Sequence, residues 1–136
     1  MTEELIKLIK AQSEELKELL MLLEAQYKMI MEKDVFGLEG IVDKLNECSK
    51  KIAQYEMNRR KILGNESISE LVNKSDNKEL KDNYISIQEI LNRVMLQKDT
   101  NDLLLKQQIM FNNKMLNIMN PNREIKTYNS YGNLSK

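Results

Sequence analysis

The sequence predicts an all-α protein: an elongated antiparallel helical bundle of three long helices and one short helix, with coiled-coil-like packing and a disordered C-terminal tail. Its 136 residues include only 4 glycines and 1 proline. The remainder is rich in leucine, lysine, glutamate and methionine, which favours long helices over strands. Apolar residues recur at steps of three and four, the spacing of one helix face.

The first helical pattern runs from Thr2 to about Lys33. Its repeating face consists of apolar residues and one glutamine: Leu5, Ile9, Gln12, Leu16, Leu19, Leu23, Tyr27 and Ile30. A helix of this length needs a neighbour to bury such a stripe. The run "LLMLL" is wider than one stripe, so we expect burial on more than one side.

The second pattern runs from Val35 to Leu63 and follows a weak stretch, "EKDVFGLEG", where we expect a kink or a tight turn. Asp34 is a suitable N-cap for the new helix, whereas Gly37 and Gly40 lower helix stability locally. The apolar face comprises Leu38, Ile41, Leu45, Cys48, Ile52, Tyr55 and Ile62. The cations of "NRRK" near the end of the pattern, followed by Gly64, predict that the helix stops there.

A short third helix is predicted in "SISELVNK", where Ser67 and Glu70 have the spacing of a capping box. Asp76 and Glu79 have the same spacing before the last and longest pattern, which runs from about Lys78 to Asn120 and is ended by Pro121. Its face comprises Leu80, Tyr84, Ile87, Leu91, Val94, Leu105, Gln108, Phe111, Met115 and Ile118. Lys98 and Asn101 fall on the same face, either as a solvated gap or as a site that sets the helix register.

We expect two regions in the chain. Residues 1–120 form a helical bundle domain. Residues 121–136, which include Tyr128 and Tyr131, have no apolar periodicity, and we therefore predict a flexible tail.

Enzymatic chemistry has little support in the composition. Histidine is absent, which removes the commonest general base and metal ligand, so we expect no enzyme, no cofactor and no metal site. Cys48 is the single cysteine of the sequence. It lies on an apolar helix face, and we interpret it as a small buried hydrophobe. "NRRK" is interpreted as helix-end electrostatics rather than as a phosphate site.

The charge balance also limits the partners. The 21 basic and 21 acidic residues cancel, which argues against binding to nucleic acid or to an anionic membrane surface. The longest apolar run, Leu19 to Leu23, is far shorter than a membrane span, so we expect no membrane insertion. No signal-peptide pattern is visible at the start, and a cytoplasmic location is expected.

The end of the last helical pattern, "QIMFNNKMLNIM", carries apolar side chains over more of the helix circumference than one contact face needs. A core helix buried between two neighbours is one interpretation, and it fits Phe111, Met115 and Ile118. A surface for helical partners is the other, because methionine-rich surfaces adapt to different shapes. The side chains that point partly elsewhere fit this second interpretation: Ile109, Met110 and Leu116. The pattern alone leaves both open.

With these residues in view, the chain resembles the FlgN family of flagellar export chaperones. Four segments carry the resemblance in order: a leucine-rich opening helix leading into "YKMIMEKDVFGLEGIVDKL", a charged helix ending in "RRKIL", the asparagine-plus-leucine segment "NDLLLKQQ", and "TYNSYGN" near the end. Either Tyr128 or Tyr131 fits the family's C-terminal tyrosine.

The resemblance implies a cytoplasmic, non-enzymatic chaperone. Such proteins bind hook–filament junction proteins, keep the helical ends of these proteins from assembling early, and pass them to the flagellar type III export apparatus. The C-terminal part of the chain is implied to hold this cargo. We expect the cargo-binding side chains to be Ile109, Met110, Leu116, Met119, Tyr128 and Tyr131.

Other interpretations remain open at this stage. A coiled-coil adaptor or scaffold, or another helical protein of a secretion apparatus, would have the same composition and periodicity. A nucleic-acid binder is disfavoured by the neutral charge. Whether the chain forms a homodimer is left open by the sequence.

Overall fold

The structure is a computed structural model that describes residues 2–120, and within them every regular element is a helix. The four helices are α1 (Thr2–Glu32), α2 (Val35–Leu63), α3 (Ile68–Lys74) and α4 (Lys78–Met119). The prediction of a packed all-α bundle with three long helices and one short helix is confirmed. The predicted disorder of residues 121–136 lies outside the described residues.

A tight turn, not a kink, separates α1 from α2. Lys33 adopts a left-handed backbone with φ 58°, and α2 begins two residues later at Val35. The predicted cap is confirmed, since the Gly37 N–H donates to Asp34 Oδ1 at 2.9 Å. Gly37 and Gly40 both lie inside α2.

The stop signal at the end of α2 is also confirmed. Gly64 has φ 63°, which favours glycine, and its N–H donates to the Arg60 carbonyl at 2.9 Å. The capping box predicted at the start of α3 is wrong. Ser67 is the N-cap residue, but its side chain makes no capping hydrogen bond. At α4 the cap lies one residue later than predicted, where Asn77 Oδ1 accepts from the Leu80 N–H at 3.2 Å.

The chain divides into two compact units, Met1–Asn101 and Asp102–Lys136. In the first unit α1 and α2 are antiparallel, because Gln12 Nε2 contacts the Ile52 carbonyl while Cys48 contacts Glu15. In contrast, α1 runs parallel to the first part of α4. Lys10 near the start of α1 pairs with Glu79 at 2.7 Å, and Asn101 reaches the Leu23 carbonyl at 2.8 Å.

The core of the first unit lies mainly along α1 and α4, with Leu63 from α2 and Val72 from α3. Its buried members are Leu5, Ile6, Ile9, Leu16, Leu20, Leu23, Leu63, Val72, Leu80, Ile87, Ile90 and Val94. Two predicted seam residues are exceptions, since Tyr27 is 39% and Leu91 43% exposed. Ile90 is buried in place of Leu91, and it belongs to the same cluster as Leu80, Ile87 and Val94.

The second unit is described only through the last part of α4, residues 102–119, which we call the C-terminal section. Of the two interpretations of this section, the buried core helix does not fit Phe111, Met115 and Ile118, since their side chains are 58%, 42% and 75% exposed. The part of this unit that the structure describes contains no second helix that could bury them. The helix itself was predicted correctly, but the described residues of this unit contain no helix that packs against its apolar face.

Candidate functional site

Cys48 has the environment of a buried structural thiol. Its side chain is 5% exposed, and Sγ lies 3.3 Å from both the backbone carbonyl and the carboxylate Oε2 of Glu15. Burial, the hydrogen bond to Glu15 and the negative charges of Glu15 and Glu18 raise the pKa of this thiol to about 12. The reactive thiolate is therefore disfavoured at neutral pH, which agrees with the interpretation of Cys48 as a small hydrophobe.

The arginines near the end of α2 form hydrogen bonds and ion pairs within the first unit. Arg59 Nη1 donates to Gln12 Oε1 at 2.9 Å, and its guanidinium also pairs with the Glu56 carboxylate. Arg60 Nε donates to the same carboxylate at 3.2 Å. The Arg59 side chain is only 16% exposed, so it fastens α2 to α1 rather than presenting a charge to a ligand. Gln12 lay on the predicted face, but its pairing with Arg59 had no local sequence signal.

An open pocket of about 410 Å³ lies next to this polar cluster, between the four helices of the first unit. Its walls are mostly apolar, and it is lined by Gln12, Leu16, Ser49, Ile52, Ala53, Glu56, Arg59, Ile68, Tyr84, Ile87, Gln88 and Leu91. This pocket has no signal in the sequence, because its residues come from four separate segments. Three of its polar residues bond to one another, since Arg59 donates to Gln12 Oε1 and pairs with the Glu56 carboxylate.

Within residues 2–120, no group of three or more histidine, cysteine, aspartate or glutamate side chains is arranged to hold a metal ion. None of the helices in that range combines the length and the apolar character that crossing a membrane would need.

The exposed apolar side chains with a predicted role lie on the C-terminal section. Four of the residues predicted to bind cargo are described, and all are exposed: Ile109 (61%), Met110 (54%), Leu116 (39%) and Met119 (75%). Phe111, Met115 and Ile118 add to the same surface. Contiguous apolar patches on soluble proteins mark sites of interaction with other proteins more often than isolated exposed residues do.

The local sequence explains why this section is helical although it is uncovered. Leucine, methionine, glutamine and lysine are all strong helix formers, and they dominate "LLLKQQIMFNNKML". The helix ends at Met119, the Asn120 N–H donates to the Leu116 carbonyl at 2.8 Å, and Pro121 follows. Its charged residues after Asp102 are Lys106 and Lys114, so the exposed surface is apolar with a basic edge.

The structure describes only part of the predicted site. Ile109, Met110, Leu116 and Met119 lie on one helix, with Ile109 and Leu116 on one side and Met110 on another, as expected from about 100° of rotation per residue. Tyr128 and Tyr131 lie outside the described residues.

Comparison with known proteins gives a single assignment. No curated protein and no solved structure matches the chain. A family model described as FlgN protein matches residues 1–136. The chain therefore belongs to the FlgN family of flagellar export chaperones.

Proposed function

We infer that this chaperone acts in the cytoplasm on hook–filament junction proteins, prevents their premature assembly and delivers them to the flagellar type III export apparatus. The observation that carries the proposal is the uncovered apolar surface of the C-terminal section. Family membership supplies the class of protein, and this surface supplies a place where cargo can bind.

The proposed site combines two parts of the chain. Ile109, Met110, Leu116 and Met119 form its helical part, and Tyr128 and Tyr131 in residues 121–136 form a cargo-binding tail. Methionine side chains adapt to irregular apolar partners, and tyrosines give large contact areas at low entropic cost. A site of this kind suits amphipathic helices, which would otherwise pair with one another during assembly.

Calorimetric titration with a purified hook–filament junction protein tests the proposal. Three chains are compared: full length, a chain ending at Asn120, and the full-length double variant Ile109→Gln with Leu116→Gln. Both altered chains should bind about tenfold more weakly or worse, as when hot-spot residues are lost. The control is Leu96→Gln, which changes a 70% exposed leucine of α4 in the first unit and should leave affinity unchanged.

The possible outcomes separate the interpretations. A loss on truncation alone assigns cargo binding to the tail, and a loss in the double variant alone assigns it to the helix. Absence of binding by the full-length chain overturns the cargo proposal. Strong self-association of the free chain, unaffected by junction protein, would instead favour a coiled-coil adaptor.

A further inference from the structure

The contact face of α4 continues past the end of the first unit without a change of register. Leu80, Ile87, Val94 and Asn101 are buried at seven-residue intervals. The same repeat continues through Gln108 and Met115 in the C-terminal section. Together with the intervening positions, it defines the first stripe: Leu104, Gln108, Phe111, Met115 and Ile118. The positions that form the core in one unit therefore recur in the next, where Leu104, Leu105 and Gln108 are half-buried and the apolar side chains from Ile109 onward are exposed.

A second stripe of the same kind lies beside the first. Each of its members follows a member of the first stripe by one residue: Leu105, Ile109, Asn112, Leu116 and Met119. Both stripes have the alternating steps of four and three that characterise a coiled-coil contact face. Each also contains one amide side chain, Gln108 or Asn112, at a position where polar residues set helix register.

The angle between the stripes decides how many helices this surface can hold. Successive residues of an α-helix are rotated by about 100°, so the two stripes face directions that differ by that angle. One partner helix packs its ridges against one such stripe. A helix with two stripes at this angle is typical of bundles, where it contacts two neighbours at once.

Charge indicates the chemistry of the neighbours. Between Leu103 and Met119 there are two lysines and no acidic residue. Lys114 precedes Met115 at the edge of the first stripe, and Lys106 follows Leu105 at the edge of the second. These are the flanking positions where coiled coils place complementary charges. A second copy of this chain would bring further lysines to both edges, which disfavours self-pairing.

We propose that the C-terminal section binds two amphipathic helical segments of a hook–filament junction protein at the same time, one on each stripe, each with acidic side chains along the edge that meets the lysine. The inference rests on the proposed function and deepens it. Holding two helical segments apart on different sides of one helix prevents them from pairing with each other. It also requires no change in α4 itself.

Site-specific photo-crosslinking tests the two-helix arrangement in the full-length chain. A photoreactive residue replaces Met115 in the first stripe or its neighbour Leu116 in the second, and the crosslinked junction-protein peptides are identified by mass spectrometry. The two positions should reach two separate segments of the junction protein. The matched control is Met57, which is 54% exposed, lies on α2 and should give little product.

The outcomes distinguish this inference from the function on which it rests. The same segment captured from both positions would mean a single bound helix and would overturn the inference alone. Products that join two copies of the chain, or that join α4 to residues 121–136, would also overturn it. If the junction protein binds in calorimetry but gives no crosslink at either position, the cargo binds elsewhere on the chain and this inference is overturned. If the junction protein does not bind in calorimetry, the cargo proposal is overturned as well.

A second experiment tests whether the bound helices carry acidic side chains next to Lys106 and Lys114. Lys106→Glu and Lys114→Glu should each weaken calorimetric binding about two- to fivefold, the range of exposed ion pairs. Lys50→Glu, an exposed lysine of α2, is the control and should have no effect. Unchanged or tighter binding by both α4 variants would contradict the acidic edges.

Discussion

Asn101 lies at the end of the buried face of α4 and sets the alignment of α4 against α1. The side chain is fully buried, and Nδ2 donates to the Leu23 carbonyl at 2.8 Å and to Gln26 Oε1 at 2.9 Å. Its Oδ1 accepts from Gln97 Nε2 at 3.0 Å. A buried amide with its partners satisfied favours one helix alignment over others. Of the two sequence-based interpretations, the register-setting site fits Asn101, whereas Lys98 is exposed.

Replacing this amide should therefore be costly. Asn101→Ala should lower the free energy of unfolding by about 1–3 kcal/mol, because it leaves buried hydrogen-bonding groups of α1 and Gln97 without their partner. Urea unfolding followed by circular dichroism measures the change. Asn92→Ala on the exposed side of the same helix is the control and should alter stability little. Equal effects of the two substitutions would contradict the register role.

At the level of the helix, the first turns of α2 contain two glycines with different surroundings. A Cβ at Gly37 would lie 2.4 Å from Asp34 Oδ2 and 3.1 Å from Met29 Sδ, whereas a Cβ at Gly40 would meet no atom within 4 Å. Gly37 therefore leaves room for the carboxylate that caps α2, and Gly40 has no such role. Spacing in the sequence identified Asp34 as the cap but did not distinguish the two glycines.

This difference predicts opposite outcomes for the same substitution. Gly40→Ala should stabilise the chain by about 0.5–1 kcal/mol through helix propensity. Gly37→Ala should gain nothing or lose stability, because displacement of Asp34 costs about 1 kcal/mol of capping. Thermal unfolding of the two variants gives the comparison. In a chain that already carries Asp34→Ala, Gly37→Ala should stabilise as Gly40→Ala does, and failure of that rescue would mean that capping is not the cause.

Across the whole molecule, α4 changes its environment while its sequence pattern stays the same. The buried cluster uses α4 residues from Leu80 to Val94, and no residue of the C-terminal section is buried. Helical stability in proteins comes mainly from packing of an apolar face. The two parts of this one helix should therefore differ in how readily their backbone hydrogen bonds open.

Hydrogen–deuterium exchange with mass spectrometry measures that difference. In the free chain, amides of the C-terminal section should exchange much faster than those between Ile87 and Val94. Addition of a hook–filament junction protein should slow exchange in the C-terminal section, with α1 amides near Ile9 as the internal reference. Uniform protection along α4 in the free chain would mean that another surface already covers the section in solution.

The sequence by itself determined the four helices, the Asp34 cap and the stop at Gly64, since periodicity and capping are local properties of the chain. It also identified the apolar side chains of the C-terminal section as candidates for binding. Only the tertiary structure decided that Ile90 is buried in place of Leu91, and that Phe111 is uncovered. Burial depends on which neighbour lies opposite a helix face, and the periodicity of that face carries no information about the neighbour.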